Sequence, residues 1–203
     1  MLITAIKQTS PDRLTVLLED GSEIKTSLGV VTDLRLFSGK ELEEEALAEL
    51  CQSSARSLAR DKALEIISRR MMSRKELRDK LLQKGEDEAT AEYCAAWLEE
   101  RGFLNDENYA AAVARHYAAK GYGPGRVRAE LQRRGIHREL WDEALENMPE
   151  PDDKLDKFIS SRLRDRSDRD QVRKISAALF RRGYSWDEIR SALARFNAET
   201  EEY

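Results

Sequence analysis

The sequence predicts a mainly α fold: three tandem three-helix repeats forming an elongated, curved body, preceded by a small antiparallel β meander. Three observations predict it. The first 28 residues alternate in strand fashion, and from about residue 53 every periodic segment follows the helical repeat. Three helical segments also end on a basic residue followed by glycine, at Lys84-Gly85, Arg134-Gly135 and Arg182-Gly183.

The strand runs are Leu2 to Ile6, then Leu14, Val16 and Leu18, then Ile24, Thr26 and Leu28. Pro11-Asp12 separates the first two, and Glu19-Asp20-Gly21-Ser22 supplies an Asp-Gly turn whose central residues need positive φ. A three-stranded meander is marginal alone. It is therefore expected to pack on the helix that follows Ser38-Gly-Lys-Glu41, a capping-box pattern, giving a module over residues 1–52.

The three glycines stand 50 and 48 residues apart, and aligning them aligns the apolar positions. Leu81, Leu131 and Leu179 precede them by one turn, and Leu77, Val127 and Ile175 by two. Downstream, Ala95, Leu145 and Leu193 coincide, as do Leu98, Met148 and Phe196. Glycine suits a helix C-terminus because the next residue often turns left-handed, and the preceding cation suits the negative end of the helix dipole. Each repeat is expected to hold a helix before a break, one ending at the glycine and one after it: residues 53–104, 105–150 and 151–203. The breaks fall at Ser73, with Glu76 completing a capping box, at Gly121-Tyr-Gly-Pro-Gly125, and at Ser167-Asp168. After the third glycine, Ser185 and Glu188 form another box inside a Tyr184/Ile189 staple, a spacing repeated by Ile136 and Trp141. Pro149-Glu-Pro-Asp-Asp153 reads as a linker, and Ala198 to Tyr203 as a frayed acidic tail.

Composition narrows the function. At 40% apolar and 36% charged residues the chain is ionic but globular, with no apolar run that would cross a bilayer and no signal-peptide pattern, so a cytoplasmic protein is expected. Cys51 and Cys94 form no metal-binding or disulfide framework, and Cys94, among alanines and Trp97, reads as a small buried hydrophobe. His116 and His137 stand apart and read as surface or capping residues. Asp152 and Asp153 read as solvated linker, and Trp97, Trp141 and Trp186 as core. No phosphate loop, dinucleotide fingerprint, zinc-protease helix or nucleophile elbow is present. No catalytic residue, metal site or cofactor is expected, and binding rather than catalysis is the expected mode of action.

Charge is strongly patterned behind a net of −4. Residues 69–84 hold seven basic and two acidic side chains, 115–138 seven and one, and 154–182 ten and four. Between them, 86–107 hold one basic and eight acidic, and 139–153 none and seven. The excess exceeds what helix dipoles require. The expected partner-binding stripe therefore comprises Arg74, Lys75, Arg78, Lys84, Arg126, Arg128, Arg133, Arg134, Arg173, Lys174, Arg181 and Arg182, facing phosphates or acidic protein patches.

Several linked blocks resemble the RecX family of bacterial regulators of the RecA recombinase, nearly end to end. They are Ser73 to Gly85 (SRKELRDKLLQKG), Leu98 to Ala110 (LEERGFLNDENYA) and Lys120 to Ile136 (KGYGPGRVRAELQRRGI). Arg181 to Ile189 (RRGYSWDEI) resembles the third-repeat block, and Phe37 to Leu42 (FSGKEL) the entry to the helices in longer members. The resemblance implies a monomeric negative modulator that lodges in the groove of the RecA–DNA filament. There it would restrain filament extension, ATP hydrolysis and strand exchange in DNA repair and recombination, with direct single- or double-stranded DNA contact open. It supplies no catalytic residue. The acidic N-terminal module departs from shorter members. A rival reading is a helical-repeat nucleic-acid-binding protein without a recombinase partner, whose binding would weaken steeply with salt.

Overall fold

The computed structural model describes residues 1–149, 152–165 and 168–196. The acidic tail and the centre of the Pro149–Asp153 linker lie outside the described residues, as do the side chains of Asp152 and Asp153 and the Ser167 break. The chain divides into two compact units: Met1–Met72 with Glu76–Leu104, and Ser73–Lys75 with the chain from Asn105 onward. Among the described residues it is mainly helical, with ten α-helices and one three-stranded sheet.

In the first unit, strands β1 (Ile3–Ser10), β2 (Arg13–Leu18) and β3 (Glu23–Ser27) pair antiparallel in that order, with Val16 opposite both Ile6 and Ile24. Gly21 turns at φ +83°, and the Asp20 carboxylate accepts from the Ser22 amide at 2.9 Å. These hydrogen bonds from Ser22 hold the Asp20 carboxyl below its ordinary range. Ile3, Val16 and Leu18 point inward and meet Leu50 of α2 (Glu44–Arg69), so the sheet packs on the following helix as expected. Two hydroxyl pairs, Ser54–Thr26 and Ser57–Ser27 at 2.8 Å, satisfy the polar groups along this seam.

Two local details differ from expectation. Leu28 opens a short helix, α1 (Leu28–Asp33), because Ser27 caps it by accepting from the Val30 amide and Val30 is drawn into the core. Ser38 does not cap α2, which starts at Glu44. Its hydroxyl instead donates to the Thr4 carbonyl and ties the loop to β1. The helix α2 then runs unbroken for 26 residues: its first half covers the sheet, while Ala59, Ala63 and Ile66 enter the next core.

That core joins α2 to α3 (Arg74–Gln83) and α4 (Glu88–Glu100) through Leu77, Leu81, Cys94, Ala95 and Leu98, all fully buried. Asp87 caps α4, accepting from the Thr90 amide at 2.8 Å. Gly85 takes φ +88°, as its C-terminal role requires.

The second unit holds two further three-helix groups. The first contains α5 (Asp106–Ala119), α6 (Pro124–Arg133), a 3-10 turn at Arg138–Leu140 and α7 (Trp141–Glu146) around Val127, Leu131 and Ile136. Its last helix is short, with Ala144 buried and Leu145 partly buried against the same core. The second contains α8 (Asp152–Ser160), α9 (Arg169–Arg181) and α10 (Trp186–Arg195) around Ile159, Ile175, Leu179 and Leu193. Ser185 and Glu188 form the expected capping box, with Tyr184 and Ile189 buried beside it.

Helices α6 and α9 meet end to end. The Gly123 and Gly125 amides at the start of α6 donate to the Arg182 and Gly183 carbonyls that close α9, each at 2.9 Å. Each terminus thereby satisfies groups that the other leaves unpaired, and the opposed dipole ends attract. The Ser73–Lys75 segment repeats the motif at the end of α6, where the Ser73 hydroxyl donates to the Arg134 carbonyl.

Candidate partner-binding surface

The twelve expected interface residues lie on the three middle helices or at their ends. Arg78 and Lys84 belong to the first unit, and the other ten to the second. The structure sorts them by what their side chains touch.

One group is engaged in holding the fold. Arg78 bridges Glu88 and Glu92, the latter at 2.9 Å. Glu130 is the single acid within the basic run 115–138, and it is only 4% exposed. Helix periodicity explains its burial, for it lies on the α6 face that carries Val127 and Leu131. Arg126 reaches it at 3.2 Å, Arg133 at 2.7 Å and Arg134 at 3.7 Å. Burial alone would raise the Glu130 carboxyl pKa. Hydrogen bonds from Arg133 and Tyr117, with the charges of Arg133 and Arg126, outweigh it and hold the group below the ordinary glutamate range. Arg134 also stacks on Tyr109, and Arg182 packs on Phe158 and Tyr122 at 4.4 and 5.7 Å from the ring centroids.

A second group is available to a partner. Lys84, Arg128, Lys174 and Arg181 are exposed, and their side chains make no hydrogen bond or ion pair among the described residues. Lys174 and Arg181 stand seven residues apart and share a face of α9. Arg173 is exposed and, among the described residues, pairs only with its helix neighbour Asp170 at 3.1 Å, a contact that water screens. The Arg74 amide donates to the Asp106 carboxylate at 2.8 Å, and Lys75 runs its stem past Gly135.

Sequence reading missed a third set. On α2 and α4, Arg56 stacks on Tyr93 at 4.7 Å, while Arg60 and Arg101 both stack on Trp97, at 5.3 and 4.3 Å. Matched four-residue spacings, Arg56/Arg60 and Tyr93/Trp97, were the available signal. Trp97 and Trp141 pack against core clusters as expected, but Trp186 does not: as the first residue of α10 it is 46% exposed and stacks on Phe180. Cys94 is buried, which pushes its thiol up to about 11, whereas Cys51 is exposed. His116 and His137 lie at the surface, the latter at the position before the 3-10 turn with no side-chain capping hydrogen bond.

Three family models match the chain in order: the first RecX three-helix domain over residues 59–98, the second over 105–145 and the third over 154–193. The chain belongs to the RecX family. Relatives named regulatory protein RecX include one from Halorhodospira halophila, 31% identical over 156 residues, covering 73% of this chain and 94% of that protein. Another, from Bacillus licheniformis, is 28% identical over 202 residues, covering 97% of this chain and 77% of that protein. Among solved structures, a crystal structure of regulatory protein RecX superposes with a TM-score of 0.77 at 24% identity, covering 96% of this chain and 98% of that one. RecX from Lactobacillus salivarius gives 0.62 at 25% identity over 70% and 97%. The three RecX domains coincide with the three helix groups whose middle helices end at Gly85, Gly135 and Gly183. RecX-family membership makes this chain one of a family of regulatory proteins.

Proposed function

We propose that this protein is a cytoplasmic negative regulator of the RecA recombinase. It binds the groove of the RecA–DNA filament and restrains filament extension, ATP hydrolysis and strand exchange during repair and recombination. What carries this reading is the conjunction of three RecX domains with exposed cations on or just after the middle helices, Lys84, Arg128, Lys174 and Arg181, whose side chains are unpaired among the described residues. A filament groove presents both phosphates and protein carboxylates to such cations.

Co-sedimentation with preformed filaments of the cognate recombinase tests it. The chain is expected to pellet with filament at physiological salt well beyond the amount retained by the same DNA alone. Equal retention by naked DNA, with a steep loss on adding salt, favours instead a nucleic-acid-binding repeat that needs no recombinase.

A further inference from the structure

Phe180 and Trp186 stack on one another at the surface of the third repeat, with ring centroids 5.3 Å apart and planes inclined by 21°. They are 53% and 46% exposed, so both remain open to solvent despite the stack. The repeat fold does not require them. Aligned on their glycines, the other repeats carry Leu82 and Gln132 in place of Phe180, and Glu88 and Arg138 in place of Trp186. Two adjacent large aromatics on the surface, at positions where three of the four sister residues are polar and none is aromatic, mark an interaction site rather than a packing need.

Cations surround the pair on both helices. On α9, Arg173 and Arg169 lie seven and eleven residues before Phe180, which places all three on one face, and Arg181 follows directly. On α10, Arg190 stands one turn beyond Trp186. Helix α9 carries four cations, Arg169, Arg173, Lys174 and Arg181, against the single acid Asp170. Near Trp186 the opposing charges are Asp187, which is exposed, and Glu188, which is engaged in the Ser185 capping box. An acidic peptide would use the cations but leave the paired ring faces without a matching group. A single-stranded nucleic acid uses both, since its phosphates track cations while its bases stack on aromatic faces.

We infer that Phe180 and Trp186 form a base-stacking platform for single-stranded DNA, with Arg173 and Arg181 holding the flanking phosphates. The inference deepens the regulatory reading and rests on it only in the choice of DNA as the nucleic acid. Binding belongs to this chain alone and needs no recombinase.

The test measures affinity of the full chain, without recombinase, for a short oligothymidylate and for an abasic strand of the same length. The unaltered protein is expected to bind the thymidylate strand roughly ten-fold more tightly or better. Phe180→Ala and Trp186→Ala should each remove most of that preference while leaving abasic binding unchanged, and Trp186→Phe should keep it. Arg173→Ala should weaken both strands alike and flatten the salt dependence. Equal affinity of the unaltered protein for the two strands would overturn the inference without any variant. So would alanine variants that retain the thymidylate preference. Should Trp186→Ala lose filament binding while its DNA preference is intact, the pair is a protein anchor, and the nucleic-acid platform is refuted while the regulatory reading stands.

Discussion

The Gly123 amide donates to the Arg182 carbonyl at 2.9 Å, so the start of one middle helix is seated on the end of the next. Contact this close leaves no room for side chains. A Cβ on Gly183 would lie 2.2 Å from the Arg126 nitrogen, and one on Gly123 would lie 2.6 Å from the Gly183 carbonyl oxygen. Gly85 has the same left-handed φ with nothing within 4 Å.

Gly183→Ala is accordingly expected to destabilise the protein more than Gly85→Ala. The latter loses only the conformational allowance, about 1 kcal/mol, whereas the former adds overpacking of about 1–3 kcal/mol. Thermal or urea unfolding of the two variants checks the order, and equal losses would show that the end-to-end seat is not tight.

The buried carboxylate of Glu130 should make stability pH-dependent. Its pKa is held low in the folded chain, so its contribution is fully present above the unfolded glutamate value near 4.3 and fades as pH falls through the lower folded value. Glu130→Gln should flatten that acid limb and lower stability at neutral pH by about 2 kcal/mol, less than for a fully desolvated pair because Arg133 stays in water. A denaturation series across acidic pH reads both effects.

Thiol chemistry should separate the two cysteines. Cys51 is exposed and should react with a soluble disulfide reagent in the native protein, whereas Cys94, buried and pushed up to about 11, should react only after unfolding. Counting thiols titrated before and after adding denaturant decides it. Two fast-reacting thiols would contradict the packing of α4.

Charge reversal should divide the basic residues. Arg128→Glu, Lys174→Glu and Arg181→Glu should weaken filament binding and reduce its salt dependence while changing stability by no more than about 0.5 kcal/mol. Arg182→Glu should instead destabilise the second unit by about 1–3 kcal/mol, since its guanidinium packs on Phe158 and Tyr122. Melting curves measured beside co-sedimentation distinguish the two classes.

Much of this architecture is legible because it is dictated locally. A left-handed residue ending a helix calls for glycine, so Gly85, Gly135 and Gly183 mark the repeats, and the Ser185–Glu188 box is written within four positions. What was not legible depends on distant partners or on facing. Ser38 matches a capping pattern, yet its hydroxyl finds Thr4, which lies 34 residues earlier. The basic excess of residues 115–138 reads as one surface, but Glu130 faces inward and gathers Arg126, Arg133 and Arg134, leaving Arg128 open. The Val127, Glu130 and Leu131 spacing held that information, for it sets an acid on an apolar face. Trp186 occupies a helical apolar position that reads as core, yet as the first residue of α10 it stays at the surface.

Single-stranded-DNA-dependent ATP hydrolysis by the cognate RecA, followed as this chain is added at substoichiometric ratios, tests the central claim most directly. The proposed regulator should suppress hydrolysis at low ratios, and Lys174→Glu with Arg181→Glu should raise the amount needed. An unchanged rate at stoichiometric excess of the unaltered protein would contradict it.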